Sequence, residues 1–115
     1  MKITAIDVTP VYVTRKRAYG QVTRTALGPA DVSEHGIVQV HTDEGITGLG
    51  ELASVFARRG PLLCRDVEER LTPALIDANP MAITRALRTM EEQLPDGQFA
   101  IAGVEIWILR RLCWI

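Results

Sequence analysis

The side chains best suited to chemistry begin in a basic stretch, residues 15–35, that shows no sustained hydrophobic period. Arginine binds carboxylates through paired hydrogen bonds, so this stretch could attract an anionic substrate. Tyr19 could close over an apolar part of that substrate. For each basic residue taken singly, a solvated loop is the simpler interpretation, and for Tyr19 plain exposure is an equal alternative. The candidates are Arg15, Lys16, Arg17, Tyr19 and Arg24.

Ser54 and Phe56 lie shortly after the run Gly48-Leu49-Gly50-Glu51 and are further candidate substrate contacts. For Phe56, core packing or exposure is a better interpretation than contact with a ligand. Glu51 could contact substrate or metal. We favour a structural role, as a strand-end acid that bonds to backbone or to a partner domain, and we predict neither a catalytic residue nor a metal site in the chain.

The histidines and cysteines form no recognisable site in the sequence. His35 and His41 have no obvious carboxylate partner and belong to no recognisable catalytic triad, and His41 is predicted to face solvent. Cys64 and Cys113 are far apart and indicate neither a disulfide framework nor a zinc site. Cys64 is predicted to be a small buried apolar residue.

Composition predicts one globular domain with no general affinity for polyanions. The chain has 115 residues, 47% of them hydrophobic, and its 13 basic and 14 acidic residues give a net charge of -1. This balance offers no electrostatic reason to bind nucleic acid or an anionic membrane. No apolar run is long enough to span a bilayer, and the N-terminus does not resemble a signal peptide. We therefore expect a reduced, soluble, cytoplasmic protein.

The N-terminal half predicts a three-stranded antiparallel sheet. Residues 2–13 read as a strand, with Pro10 placing its end at an edge or a bulge. Residues 37–42 and 46–53 form a hairpin around Asp43-Glu44-Gly45, in which Gly45 can adopt a positive φ. The glycines of the second hairpin strand would allow a bend or the close approach of another backbone.

The C-terminal half predicts a bundle of about three helices, so the fold class is α+β. Pro61 suits the first turn of the first helix, Asn79 and Pro80 suit the cap and first turn of the second, and the third begins near Gln98 after the turn Pro95-Asp96-Gly97. The predicted apolar stripes are Leu63, Val67, Leu71 and Leu75, then Ile83, Leu87, Met90 and Leu94, then Ile101, Val104 and Ile108.

Residues 1–106 resemble the N-terminal capping domain of the mandelate racemase / muconate lactonizing enzymes, a branch of the enolase superfamily. Leu49 departs from the family's Gly-aromatic-Gly-Glu signature. The matching pieces are Lys2-Ile3, the long loop, the hairpin Val38–Thr42 with Asp43-Glu44-Gly45, the run Gly48-Leu49-Gly50-Glu51, the helical hairpin and Ala102-Gly103-Val104-Glu105-Ile106.

This resemblance implies a lid. In the family, an α+β cap covers the mouth of a (β/α)-barrel. The barrel binds Mg²⁺ and carries the bases that remove a proton next to a carboxylate, as in racemases, cycloisomerases and acid-sugar dehydratases. Two cap loops close over the small carboxylate substrate, and here they correspond to about residues 15–35 and 51–60. Alone, the chain is expected to be inactive and to hold no cofactor.

Residues 107–115, Trp-Ile-Leu-Arg-Arg-Leu-Cys-Trp-Ile, depart from the Ala/Leu/Asp-rich helix that the family has before its barrel. In the frame one base earlier, each Trp-Ile junction encodes Asp, so a frameshift could have produced this tail and removed the barrel. DNA sequencing around codon 106 tests this hypothesis. The alternative is a natural helix with an unusual tail.

Two other functions remain open from sequence alone. Loss of the barrel would expose the cap's barrel-facing surface, which favours a non-catalytic, self-associating or binding module. The chain could also be an enzyme subunit completed by a separate barrel chain. Light scattering and co-purification, respectively, test these alternatives.

Overall fold

The computed structural model describes residues 1–14, 24–25, 28–29, 32–53 and 59–110, and gives side chains for these apart from 24–25, 28–29 and 105–110. The strands are β1 (Ile3–Thr14), β2 (Arg24–Thr25), β3 (Gly28–Pro29), β4 (Val32–Thr42) and β5 (Thr47–Ala53). The helical elements are α1 (Gly60–Asp66), a π-helical turn (Val67–Leu71), α2 (Thr72–Leu75), α3 (Ile83–Gln93) and α4 (Gln98–Arg110).

The main sheet has three antiparallel strands in the order β1-β4-β5, and the short strands β2 and β3 pair with each other. This arrangement confirms the predicted α+β class and the three-stranded meander that precedes the helices. The hairpin turn is also confirmed, since Gly45 has φ 74°. Thr42 is buried beside this turn, where its hydroxyl donates to the Ile46 carbonyl oxygen at 2.9 Å.

Strand β4 begins at Val32, which is earlier than the predicted start at residue 37, so residues 32–35 belong to the sheet rather than to the loop. Its partner β1 continues to Thr14, which lies opposite Val32, and Val11 lies opposite His35. Residues 32–35 lack an apolar alternation, so pairing with an already extended neighbour, and not the local pattern, determines the strand. Pro10 lies opposite Gly36 in β1, which is an edge strand of the sheet as predicted.

One face of the sheet packs on the helices to form a single core. The buried sheet residues include Ile6, Val38, Val40 and Leu52, and the buried helical residues include Leu63, Val67, Leu71, Leu75, Met90, Ile101 and Val104. Cys64 lies in this core, as predicted, with 5% of its surface exposed. Burial raises the pKa of the Cys64 thiol, and the nearby Glu68 carboxylate adds to the rise.

The first helical stretch contains a π-helical turn that the sequence analysis did not predict. Pro73 lies inside this stretch and has no N–H to donate, and in a regular α-helix its ring would clash with the carbonyl group four residues earlier. The backbone N–H of Thr72 instead bonds to the Val67 carbonyl oxygen, and the Thr72 hydroxyl donates to that same oxygen at 2.8 Å. The apolar residues recur every four positions, whereas an α-helix has 3.6 residues per turn, so the stripe would drift around a regular helix. The wider π turn compensates for this drift and keeps the stripe facing the core.

The predicted cap of the second helix is wrong. Asn79 does not cap α3, since its Oδ1 accepts a hydrogen bond from the Met81 backbone N–H at 2.9 Å, two residues along the chain. Helix α3 begins at Ile83, and its cap residue Ala82 makes no side-chain cap hydrogen bond. Asparagine bonds readily to its own backbone two residues on, and here this local turn replaces the helix cap.

Strand β5 and helix α4 come into direct backbone contact at two glycines. A Cβ atom added to Gly50 would overlap the carbonyl oxygen of Gly103. A Cβ atom added to Gly103 would overlap the Leu52 side chain and lie 3.0 Å from the Glu51 carbonyl oxygen. The predicted close approach of another backbone to the glycine-rich strand is therefore confirmed, and α4 is the element that approaches.

Candidate functional site at the loop end of the sheet

Both segments predicted to contact substrate are attached to the same end of the main sheet. Strand β1 ends at Thr14, opposite Val32 at the start of β4. Strand β5 ends at Ala53, opposite His35. We call this end, defined by Thr14, Val32 and Ala53, the loop end. Loops that leave neighbouring strand ends of a rigid sheet are well placed to act on one ligand.

The predicted substrate contacts themselves mostly fall outside the described residues, namely Arg15, Lys16, Arg17, Tyr19, Ser54 and Phe56. Arg24 lies in β2, where it pairs with Pro29, and the structure describes its backbone but not its side chain. The structure thus brings the attachment points of the two segments together, and the contact of each side chain with substrate stays a prediction.

A carboxylate of β4 connects the loop end to the start of the first helix through a hydrogen bond. Glu34 Oε2 accepts a hydrogen bond from the Gly60 backbone N–H at 2.9 Å. The first turn of α1 contains no acidic residue, and its cap residue Arg59 makes no side-chain cap hydrogen bond. Glu34 therefore supplies, from a neighbouring strand, the negative charge that stabilises a helix N-terminus.

Replacing Glu34 with alanine is expected to lower the free energy of unfolding by about 1.5–3 kcal/mol, the range for hydrogen bonds to charged groups. Glu34→Gln should cost less, because its amide oxygen can still accept the Gly60 N–H. Urea unfolding monitored by circular dichroism measures both changes. The matched control is Glu92→Ala on the exposed surface of α3, and equal losses for Glu34→Ala and this control would disprove the capping role.

His35 has a carboxylate partner that sequence analysis missed. Its Nδ1 lies 3.0 Å from Glu51 Oε1 on β5, and its Nε2 lies 2.8 Å from the Ser33 hydroxyl oxygen. The Nδ1 contact has the distance of an ion pair and lacks aligned hydrogen-bond geometry. Glu51 is thus a strand-end acid, as predicted, but its recorded partner is an imidazole on the adjacent strand.

His41 also has a partner, which corrects the prediction for the second histidine. Its Nε2 lies 2.8 Å from Asp7 Oδ2 on β1, and its Nδ1 lies 3.0 Å from the Thr47 hydroxyl oxygen on β5. The ring lies on the outer face of the sheet and is 32% exposed. His41 links all three strands, and these contacts depend on the β1–β4 register, which the sequence alone does not reveal.

No metal centre is found within the described ranges, where no group of three or more His, Cys, Asp or Glu side chains could hold an ion. The same part of the chain contains no helix of the length and apolar character needed to cross a bilayer.

The family relationship is decided by residues 5–109. They match the model of a family described as the mandelate racemase / muconate lactonizing enzyme, N-terminal domain. The chain belongs to this family. Two of the pieces on which the resemblance rests, residues 48–51 and the helix around Gly103, meet at the Gly50–Gly103 contact.

Known proteins support this assignment over nearly the whole chain. A cis-3-hydroxy-L-proline dehydratase from Roseibium aggregatum is 30% identical over 117 residues, which cover 99% of this chain and 30% of that protein. The crystal structure of an N-succinyl Arg/Lys racemase from Bacillus cereus is 28% identical, with a TM-score of 0.82 over 97% of this chain and 30% of that one.

A third relative shares the fold of this mandelate racemase / muconate lactonizing enzyme N-terminal domain. It is a racemase from Streptomyces coelicolor, solved with bound magnesium, with 20% identity and a TM-score of 0.80 over 92% of this chain and 30% of that one. The chain spans 30% of the length of each of these three relatives.

Proposed function

We propose that this N-terminal domain is the substrate lid of an enzyme that removes a proton from the carbon next to a carboxylate. The supporting observation is the loop end, where both predicted substrate segments are attached to adjacent strands. Segments that leave one end of a sheet can cover the same ligand and exclude water from it. The candidate reactions are racemisation, cycloisomerisation and acid-sugar dehydration.

In this proposal the side chains of the two substrate segments contact different parts of a small carboxylate substrate. Arg15, Arg17 and Arg24 are candidates to bind its negative charge, because guanidinium groups pair with carboxylates through two hydrogen bonds. Tyr19 and Phe56 are candidates to cover an apolar part of the substrate, and Ser54 is a candidate hydrogen-bond partner.

Proton abstraction itself is assigned to the barrel that the family carries beyond these residues. The described residues do not fit a Mg²⁺ site, because none of their carboxylates forms a cluster of three with other ligands. Magnesium and the catalytic bases would act in the barrel, and the purified chain is expected to show no turnover of acid-sugar, muconate or dipeptide substrates with Mg²⁺.

A chimera tests the lid function directly. Residues 1–106 would replace the corresponding N-terminal part of the Bacillus cereus N-succinyl Arg/Lys racemase, which has the same fold. The chimera should racemise N-succinylarginine, although with kcat/KM reduced by roughly 10²-fold by imperfect positioning. The remainder of the racemase without any N-terminal domain should be inactive. A folded chimera that is no more active than this remainder would contradict the proposal.

Single variants within the active chimera then locate the carboxylate contact. Arg15→Ala, Arg17→Ala and Arg24→Ala are compared, and the residue that binds the substrate carboxylate should raise KM by roughly tenfold, since a charge-assisted hydrogen bond contributes about 1.5–3 kcal/mol. Arg88→Ala, on the exposed surface of α3, is the control and should leave KM unchanged. Three unchanged KM values would remove these arginines from the substrate site.

A further inference from the structure

Three side chains at the loop end form a hydroxyl–imidazole–carboxylate relay. Ser33 Oγ lies 2.8 Å from His35 Nε2, and His35 Nδ1 lies 3.0 Å from Glu51 Oε1. Ser33 and His35 are two residues apart in β4, so their side chains share one face of the sheet. Glu51 reaches the same ring from β5. The separations match those between nucleophile, base and orienting group in serine hydrolases.

The Glu51 carboxylate favours one of the two tautomers of the His35 ring. A carboxylate accepts hydrogen bonds, so this arrangement stabilises the tautomer that carries its proton on Nδ1, beside Glu51. The Nε2 lone pair then faces the Ser33 hydroxyl and can take its proton. His35 Nδ1 is shielded from solvent and has no aligned hydrogen-bond partner, so Glu51 is the group positioned to compensate a positive charge on the ring. Such contacts commonly align only when a substrate is bound.

We propose that Ser33 is an activated nucleophile that accepts an acyl group from small activated esters. The Ser33 oxygen forms a bond to the ester carbonyl carbon, and the hydroxyl proton passes to His35 Nε2. The bond between the carbonyl carbon and the leaving oxygen then breaks, and the proton is released to the departing alcohol or phenol. Glu51 acts as a positioning residue that holds the ring. The proposal concerns this acylation step and is independent of the lid function.

The second histidine provides an internal comparison. His41 also lies between a carboxylate, Asp7, and a hydroxyl, that of Thr47, with distances of 2.8 and 3.0 Å. Its hydroxyl is secondary and belongs to a β-branched side chain, which restricts its approach to a carbonyl carbon. Reactivity that arises from any hydroxyl beside a histidine would appear at both positions. Reactivity specific to the Ser33 relay would appear only at Ser33.

The test treats the purified 115-residue chain with p-nitrophenyl acetate, follows p-nitrophenolate release and maps the acetyl group by peptide mass spectrometry. Wild-type protein should be acetylated at Ser33 and not at Thr47. Ser33→Ala should abolish that adduct, and Thr47→Ala, which removes the hydroxyl beside the other histidine, should preserve it. His35→Gln should slow acetylation by roughly 10²-fold or more, the usual contribution of a general base.

The role of Glu51 is tested by variants that remove or restore its side-chain charge, with the acetylation rate as the measurement. Glu51→Gln should slow acetylation at least tenfold, and Glu51→Asp should restore part of the rate. Thermal unfolding of the same variants reports any structural effect separately. Acetylation confined to lysines and the N-terminus of the wild-type chain would overturn the proposal, and so would equal rates for wild type and His35→Gln. The wild-type adduct map decides the question even where a variant fails to fold.

Discussion

Gly50→Ala is expected to lower the free energy of unfolding by about 3 kcal/mol or more, at or above the upper end of the usual cost of overpacking. The added methyl group would overlap the Gly103 carbonyl oxygen, which belongs to a helix backbone and cannot rotate away as a side chain would. Relief requires α4 to move away from β5, and this movement would open the core around Leu52 and Val104. Against a typical total stability of about 5–15 kcal/mol, this is a large loss.

Gly103→Ala should be less damaging, although it disturbs the same contact from the other side. Its methyl group would first overlap the Leu52 side chain, which has rotatable bonds. Alanine in a helix is also intrinsically more favourable than glycine by about 1 kcal/mol, and this gain offsets part of the clash. Urea unfolding gives both values. Ala102→Ser, at the exposed neighbouring position of α4, is the matched control and should cost under about 1 kcal/mol. A Gly50→Ala variant as stable as this control would show that the two backbones do not meet as described.

Leu71→Ala is expected to cost about 2–5 kcal/mol, the range for removing a large buried aliphatic side chain. Leu71 is 0% exposed and ends the π-helical turn, where its side chain joins the sheet–helix core. The turn is held by two hydrogen bonds from Thr72 to the Val67 carbonyl oxygen, so the backbone is not free to collapse into the cavity. We therefore expect a value in the upper half of the range.

The control for this variant is Leu62→Ala, which removes the same atoms from a side chain of α1 that is 54% exposed. It should change the free energy of unfolding by about 0.5 kcal/mol or less. Chemical denaturation curves with a common slope allow the two midpoints to be compared directly. Similar losses at both positions would contradict the assignment of Leu71 to the core.

Periodicity and turn chemistry were sufficient to predict most of the fold. The alternation of Val38 and Val40, the positive-φ glycine of the hairpin and the stripe from Leu63 to Leu75 each encode local structure, and each is confirmed. The errors have both non-local and local causes. Strand β4 is extended by pairing with β1, and the π turn is a response to Pro73 within an otherwise regular helix.

The candidate site was predictable as a pair of segments but not as a set of contacts. In an antiparallel meander the last residues of β1, the first residues of β4 and the last residues of β5 lie at the same end of the sheet. The predicted strand order alone therefore implies this arrangement. The partners of His35 and His41 lie on other strands, and one residue of slip in register would move every side chain to the opposite face. No spacing in the sequence distinguishes such cross-strand neighbours from solvated polar residues, so both histidines were assigned no partner.

The Gly50–Gly103 contact also constrains the order in which the domain can be completed during synthesis. The sheet is encoded first, but the strip of β5 at Gly50 is covered only when α4, at Gln98–Arg110, packs on it. A nascent chain that has emerged only through α3 therefore exposes this strip of β5 to the ribosome surface and to chaperones. Cooperative folding of this domain must wait for its last described helix to leave the exit tunnel.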